Sequence, residues 1–273
     1  MNFCIPELFN FILLITILLG LSVGSFLNVC IYRIPRHESI SFPPSHCPNC
    51  MNKIKWFDNI PVLSFIILKG KCRNCKSKIS IRYPLIELLN CVLWIVTFIY
   101  SDNRLQCLTG FAFSSILIIV SCIDLQSMEI PDSLNVAILL LAIVKFIASL
   151  VLGGDLKDLL IDLFVGALAG SLLLYGLYML LLKLVGKEGL GGGDVKLAFA
   201  CGAFLGWKEV LFGIALSAYI GLLVILIYSI IKRKGIKGAI PYGPFLSLGF
   251  LISFLFFDDI YKWYMLKFFG LII

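Results

Sequence analysis

Two carboxylates and four thiols carry the chemistry that this sequence can offer. Asp124 closes the apolar run Val120-Ser121-Cys122-Ile123, and Asp194 closes Gly189-Leu190-Gly191-Gly192-Gly193. Two carboxylates brought together can hold a water between them, one as base and the other as acid, and so hydrolyse an amide without a covalent intermediate. Asp124 would stand at the negative end of a helix, where an anion is disfavoured, and Asp194 at the positive start of one, where it would serve as a cap. That contrast predicts that Asp124 tends to keep a shared proton and Asp194 to be the anion. Four glycines in five residues exceed what a cap requires; Gly191 and Gly193 are read as supports that let backbone approach backbone or substrate closely. Asp132, in Ile130-Pro131-Asp132-Ser133, reads as the cap of the next helix.

The thiols are Cys47-Pro-Asn-Cys50 and Cys72-Arg-Asn-Cys75, with twenty-one residues between the pairs. Each C-x2-C pair can bend round a metal, and two of them complete a closed four-thiolate zinc site of the structural kind, with no open position for water or substrate. Cys4, Cys30, Cys91, Cys107, Cys122 and Cys201 lie in or beside apolar runs and read as small buried hydrophobes.

The elements that position these groups are set by a chain of 273 residues that is 60% hydrophobic and 14% charged. That composition excludes an ordinary soluble domain, a disordered tail and a secreted disulfide scaffold. It specifies an all-α, polytopic membrane protein. Apolar runs near the ~20 residues that cross a bilayer cover roughly 8–31, 84–100, 107–123, 134–152, 159–184, 209–231 and 242–257, with a shorter eighth at 196–206. The first run has no basic residue before Arg33 and reads as a retained span rather than a leader. No internal repeat of 20–50 residues is evident. Lys145, inside a span, is expected to snorkel outward.

Threading eight spans places loops 33–82, 124–133, 185–195 and 232–241 on one side. With the abutting Lys183 and Lys196 they hold seventeen Lys and Arg, against five on the other side. The positive-inside bias then puts these loops, the zinc site and both aspartates at the cytoplasmic face of the inner membrane and both termini outside. Loop 33–82 alone carries +8, which suits an anionic lipid surface; nucleic acid is not expected, since no recognition helix accompanies the knuckles. The chain divides into 1–101 (first span, zinc loop 33–82, second span), a membrane domain 102–257 that holds the aspartates, and a C-terminal interfacial tail 258–273. A transporter or channel with a regulatory zinc loop is the alternative, with Lys145 as its best support, but only one glycine break, at 189–193, is seen where matched halves would show two. No G-x-S-x-G elbow supports a serine protease.

Several stretches resemble the bacterial type IV prepilin peptidases, the leader peptidase/N-methyltransferases. They are Gly24-Ser-Phe-Leu-Asn-Val-Cys-Ile-Tyr-Arg-Ile-Pro35, Pro43-Pro-Ser-His-Cys-Pro-Asn-Cys50, Asp58-Asn-Ile-Pro61, Gly70-Lys-Cys-Arg-Asn-Cys75, Arg82-Tyr-Pro-Leu-Ile-Glu87 and Pro241-Tyr-Gly-Pro244. Gly191-Gly192-Gly193-Asp194 fits the G-x-G-D pattern of the related intramembrane aspartyl proteases, and Asp124 matches the first catalytic Asp; Gln126 departs from the acidic residue often found there. The resemblance implies an aspartic endopeptidase that removes the basic leader of prepilins or pseudopilins, whether of pili, type II secretion or DNA uptake. It further implies N-methylation of the new amino terminus from S-adenosylmethionine, for which no glycine-rich nucleotide motif appears. Acidic residues near the site, Glu129 or Glu188, are the expected readers of a basic leader. The sequence sets no oligomeric state.

Overall fold

The computed structural model describes residues 6–185, 191–232 and 240–270. Cys4, Glu188, Gly189 and Leu190 lie outside the described residues. Among the described residues the structure is helical, with two isolated β-bridges and no strand. The helices are α1 (Pro6–Arg33), α2 (Leu63–Ile67), α3 (Arg82–Tyr100), α4 (Arg104–Ser127), α5 (Asp132–Val151), α6 (Leu156–Val185), α7 (Gly192–Leu205), α8 (Trp207–Lys232) and α9 (Gly243–Phe269). Seven of them are long and apolar enough to cross a membrane. The last outruns its apolar stretch, continuing through Asp258 and Asp259 to Phe269.

The chain forms two compact units, Met1–Ile119 and Val120–Ile273. In the first, α1 and α3 pack closely because α1 presents glycines: a Cβ on Gly24 would come within 2.7 Å of the Glu87 Cα. Helices in lipid gain little from hydrophobic burial, so small residues and interhelical hydrogen bonds hold them together. Here Asn90 Nδ2 donates to the Gly20 carbonyl at 2.7 Å, the Ser115 hydroxyl donates to Asn90 Oδ1 at 2.8 Å, and Trp94 Nε1 donates to Ser115 Oγ at 3.0 Å. The Trp94 and Phe111 rings stack at 4.4 Å.

The second unit is built around α7. The sequence places a short span at 196–206; the helix starts earlier, at Gly192, and is 14 residues long, about 21 Å at the α-helical rise and so too short to cross the bilayer core alone. It is packed against α5, α6, α8 and α9, inside protein, and Leu197, Ala198, Ala200 and Cys201 are fully buried. Its neighbours approach to backbone contact: a Cβ on Gly202 would collide with the Gly166 carbonyl, and one on Gly170 with the Ala198 carbonyl. At the far end of α7, Lys145 Nζ donates to the Phe204 carbonyl at 2.8 Å and lies 4.8 Å from the Phe204 ring centroid. This corrects the expectation that Lys145 snorkels. Its cation satisfies a terminal carbonyl of α7 and complements that helix's negative end.

Candidate active site and metal centre

Asp124 sits one turn before the end of α4. The helix stops at Ser127 because Met128 turns left-handed, at φ 54°, and its N–H returns to the Asp124 carbonyl at 2.9 Å. The side chain is buried, and Oδ2 accepts the N–H of Gly243 at 2.8 Å. Gly243 is the first residue of α9, so one of that helix's free amide donors, at its positive end, is aimed at the carboxylate. Sequence reasoning assigned Asp124 only the unfavourable end of α4. The compensating amide comes from the Pro241-Tyr-Gly-Pro244 segment, and glycine is needed there: a Cβ would fall 2.7 Å from Oδ2. The phenol of Tyr242, the preceding residue, is 2.8 Å from Ser217 Oγ on α8, which fixes the start of α9.

Asp194 is the third residue of α7 rather than its cap. Gly191 occupies the cap position, and Asp194 Oδ2 accepts the Gly191 N–H at 3.1 Å. A Cβ on Gly191 would sit 3.4 Å from that oxygen, and one on Gly193 would press on Ile130 at 3.2 Å. Gly193 thus lets the start of α7 lie close against Ile130, whereas a side chain at Gly191 would meet the carboxylate only at ordinary contact distance. Asp194 is as buried as Asp124, and the two are close enough for the charge of Asp124 to act on Asp194. Asp132 departs from its expected role as a cap: it makes no capping bond, and its carboxylate receives the Lys196 ammonium at 2.8 and 3.0 Å. That exposed ion pair joins the start of α5 to the turn of α7 that carries Asp194. Glu129 is exposed just beyond α4.

In the first unit the four cysteine Sγ atoms lie within 4.8 Å of one another, with Cys47 and Cys75 at 3.8 Å. Four sulfurs at tetrahedral Zn–S bonds of about 2.3 Å stand about 3.8 Å apart, so the donor set and its spacing fit zinc. The two knuckles repeat each other. The Cys47 and Cys72 amides donate to the Asn52 and Ser77 carbonyls at 3.0 and 2.8 Å, and Met51 and Lys76, both left-handed, donate back to Cys47 and Cys72. Bridges His46–Lys53 and Lys71–Lys78 flank them equivalently. The two knuckles are thus one local motif used twice, in keeping with the paired C-x2-C spacing of the sequence. The Ser77 hydroxyl, 3.1 Å from Cys75 Sγ, is the main cause that lowers this thiol to about 6.

The loop is fastened at both ends by buried charged side chains. Arg33 donates to the Ser39 and Pro43 carbonyls at 2.8 and 2.6 Å, and Glu87 accepts the Val62 N–H at 2.7 Å. Arg73 grips Asp58 through Nε and Nη2, at 2.6 to 3.0 Å, and holds its carboxyl below the ordinary range.

Comparison with known proteins finds two matching family profiles: the bacterial peptidase A24 N-terminal domain over residues 18–101 and the type IV leader peptidase family over residues 111–226. The chain is 34% identical to a prepilin leader peptidase/N-methyltransferase of Aeromonas salmonicida, covering 91% of this chain and 92% of the relative. It is 34% identical to one from Legionella pneumophila (93% and 94%) and 39% identical to one from Klebsiella pneumoniae (70% and 84%). No solved structure matches it significantly. These relatives are peptidases, which favours the hydrolytic reading over the transporter.

Proposed function

The chain belongs to the type IV leader peptidase family, and on that premise we propose that Asp124 and Asp194 jointly hydrolyse the leader of prepilins or pseudopilins at the cytoplasmic face of the inner membrane. The observation that carries this is the pair itself: two buried carboxylates from α4 and α7, each receiving one backbone N–H, within electrostatic reach of each other. In the reaction the ionised carboxylate takes a proton from water as the water oxygen bonds to the scissile carbonyl carbon. The other carboxyl gives its proton to the departing nitrogen as the C–N bond breaks. Both groups belong to the membrane domain of residues 102–257, where an apolar pilin helix can lie beside the spans with its scissile bond at the level of the pair.

The four cysteines would hold zinc as a closed cross-link of the loop, with no open coordination position for chemistry. Exposed Trp56, Ile66 and Ile67, together with the loop's ten basic residues, suit the headgroup layer of an anionic membrane. A basic leader is repelled by such a loop, so its recognition falls to acidic groups near the pair, of which Glu129 is exposed and Glu188 lies outside the described residues. The relatives' name includes N-methyltransferase, and the same chain is assigned methylation of the new amino terminus with S-adenosylmethionine.

Purified enzyme supplied with a prepilin and S-adenosylmethionine tests this. Asp124→Asn and Asp194→Asn are expected to abolish cleavage while still methylating a pilin supplied already cleaved, and Cys72→Ser to lose zinc. Normal cleavage by both Asp variants overturns the aspartyl mechanism.

A further inference from the structure

Two buried polar side chains in the second unit meet no hydrogen-bond partner among the described residues. Asn135 on α5 leaves both Oδ1 and Nδ2 unpaired, and Ser247 on α9 leaves its hydroxyl unpaired. They are 6% and 3% exposed. Such groups cost free energy in an apolar interior unless something pairs with them. Their neighbours along the helices, Leu134 and Ile138 for Asn135 and Leu246 and Leu251 for Ser247, are buried as well.

Both lie on buried helix stripes that reach α7 at Phe204. On α5, Asn135, Ile138, Ala142 and Lys145 recur at helical spacing, and Lys145 reaches Phe204 by its carbonyl and its ring. On α9, Ser247, Leu251 and Phe254 do the same, and the Phe254 ring lies 5.6 Å from that of Phe204. The receiving stripe on α7 is Asp194, Leu197, Cys201 and Phe204, every one buried. At the Phe204 end the two flanking stripes therefore meet across a single side chain. At the other end, Asp194 tops the receiving stripe, and Asn135 and Ser247 top the flanking ones. Each of the two sits about one helical turn, ~5 Å, inward of a fixed point of the site: Asp132, bonded to Lys196, for Asn135, and Gly243, bonded to Asp124, for Ser247.

We propose that Asn135 and Ser247 bind water directly beneath the Asp124–Asp194 pair and act as positioning residues that supply and orient the molecule consumed in each hydrolysis. A buried water requires two to four polar partners. The carboxamide offers a donor and an acceptor, the hydroxyl offers either, and the carboxylates above offer acceptors. Hydrolysis inside an otherwise apolar bundle needs such a store, and these are the described side chains of this unit left uncommitted at that depth. The inference rests on the aspartyl reading of the site.

The test measures steady-state cleavage of a prepilin by full-length enzyme carrying Asn135→Leu, Ser247→Ala or Ser247→Thr, beside Asp124→Asn and Asp194→Asn. Removing either polar group is expected to lower kcat about ten-fold or more with KM within about two-fold, because the interaction is made with the attacking water and not with the pilin. Thermal unfolding should be unchanged or shifted upward, since an isolated polar group has been removed from the core. Ser247→Thr, which keeps the hydroxyl, should restore the activity lost in Ser247→Ala. If Asn135→Leu does not fold, Ser247→Ala and its rescue decide alone. Unchanged kcat in the folded variants, or a rise in KM with kcat intact, overturns the water site. Cleavage surviving in the Asp variants instead removes the aspartyl mechanism beneath it, so the two failures are distinct.

Discussion

The amide of Gly243 donates to Oδ2 of Asp124 at 2.8 Å, joining residues 119 positions apart in the chain. The bond sets the carboxylate's rotamer from outside its own helix. It also provides a positive helix terminus for an acid whose own helix presents a negative one.

Gly243→Ala should therefore act as an active-site mutation although alanine is a small change. Its methyl group would occupy space 2.7 Å from Oδ2, so the carboxylate must rotate away. A displacement of about 1 Å at the reacting groups costs on the order of a hundred-fold in rate. Prepilin cleavage should fall by about that factor with KM little altered, and a crystal structure of the variant should show the Asp124 side chain turned.

Gly202→Ala tests the packing that holds Asp194 in place. The added Cβ collides with the Gly166 carbonyl, which is backbone and cannot swing aside. Overpacking of this kind costs roughly 1–3 kcal/mol, read as a lower thermal midpoint in detergent. Cleavage and methylation should be lost together as the enzyme unfolds, unlike the selective loss expected for the aspartates.

How far the sequence reveals these features depends on which atoms do the work. Asp124, Asp194 and the four cysteines stand out as candidates because side-chain type and spacing single them out, and the structure buries the two acids and gathers the four thiols; the helices are legible because apolar runs of bilayer length admit few alternatives. The Gly243 amide is invisible in the same terms: every residue but proline has an N–H, and only the fold shows which one points at a carboxylate. Lys145 and Asp132 fail for a related reason. A lysine in a span can reach outward or inward with equal ease, and here the Phe204 carbonyl, 59 residues away, decides it. Asp132 is placed correctly at a helix start, but its partner, Lys196, is 64 residues distant.

Metal content gives a direct check on the knuckles. The wild type should carry one zinc per chain by elemental analysis, and Cys75→Ser none. Chelation of the wild type should expose the loop between Arg36 and Arg82 to limited proteolysis. The two knuckles share one set of ligands, so their loss should be cooperative rather than stepwise.

The Asp58–Arg73 pair predicts a pH dependence. Arg73 lowers the Asp58 carboxyl from its ordinary 3.8. An acid whose value falls on folding contributes stability that is fully present above the unfolded value and fades as pH drops through the folded one. The loop should then lose this contribution below pH 3.8, and the loss should vanish in Arg73→Gln, where the Asp58 carboxyl, followed by its carbon NMR shift, should titrate at the ordinary value.

By contrast, Asp132→Asn should be nearly silent. Its ion pair with Lys196 is open to solvent, with side chains 69% and 60% exposed, and pairs of this kind contribute about 0–1 kcal/mol. Cleavage rates within about two-fold of the wild type are expected; a hundred-fold fall would mean that the link between α5 and α7 controls the position of Asp194.

The enclosure of α7 carries a consequence for the lipid environment. A helix that spans must tilt or stretch its surroundings when the bilayer thickens or thins. The one that bears Asp194 packs against four other helices, is held to α5 at its far end through Lys145, and meets α6 backbone to backbone. The register of Asp194 is thereby shielded from acyl-chain length while Asp124 rides on α4, one of the seven long helices, so a change in turnover between vesicles of short-chain and long-chain phospholipids should trace to movement of Asp124 against a stationary Asp194.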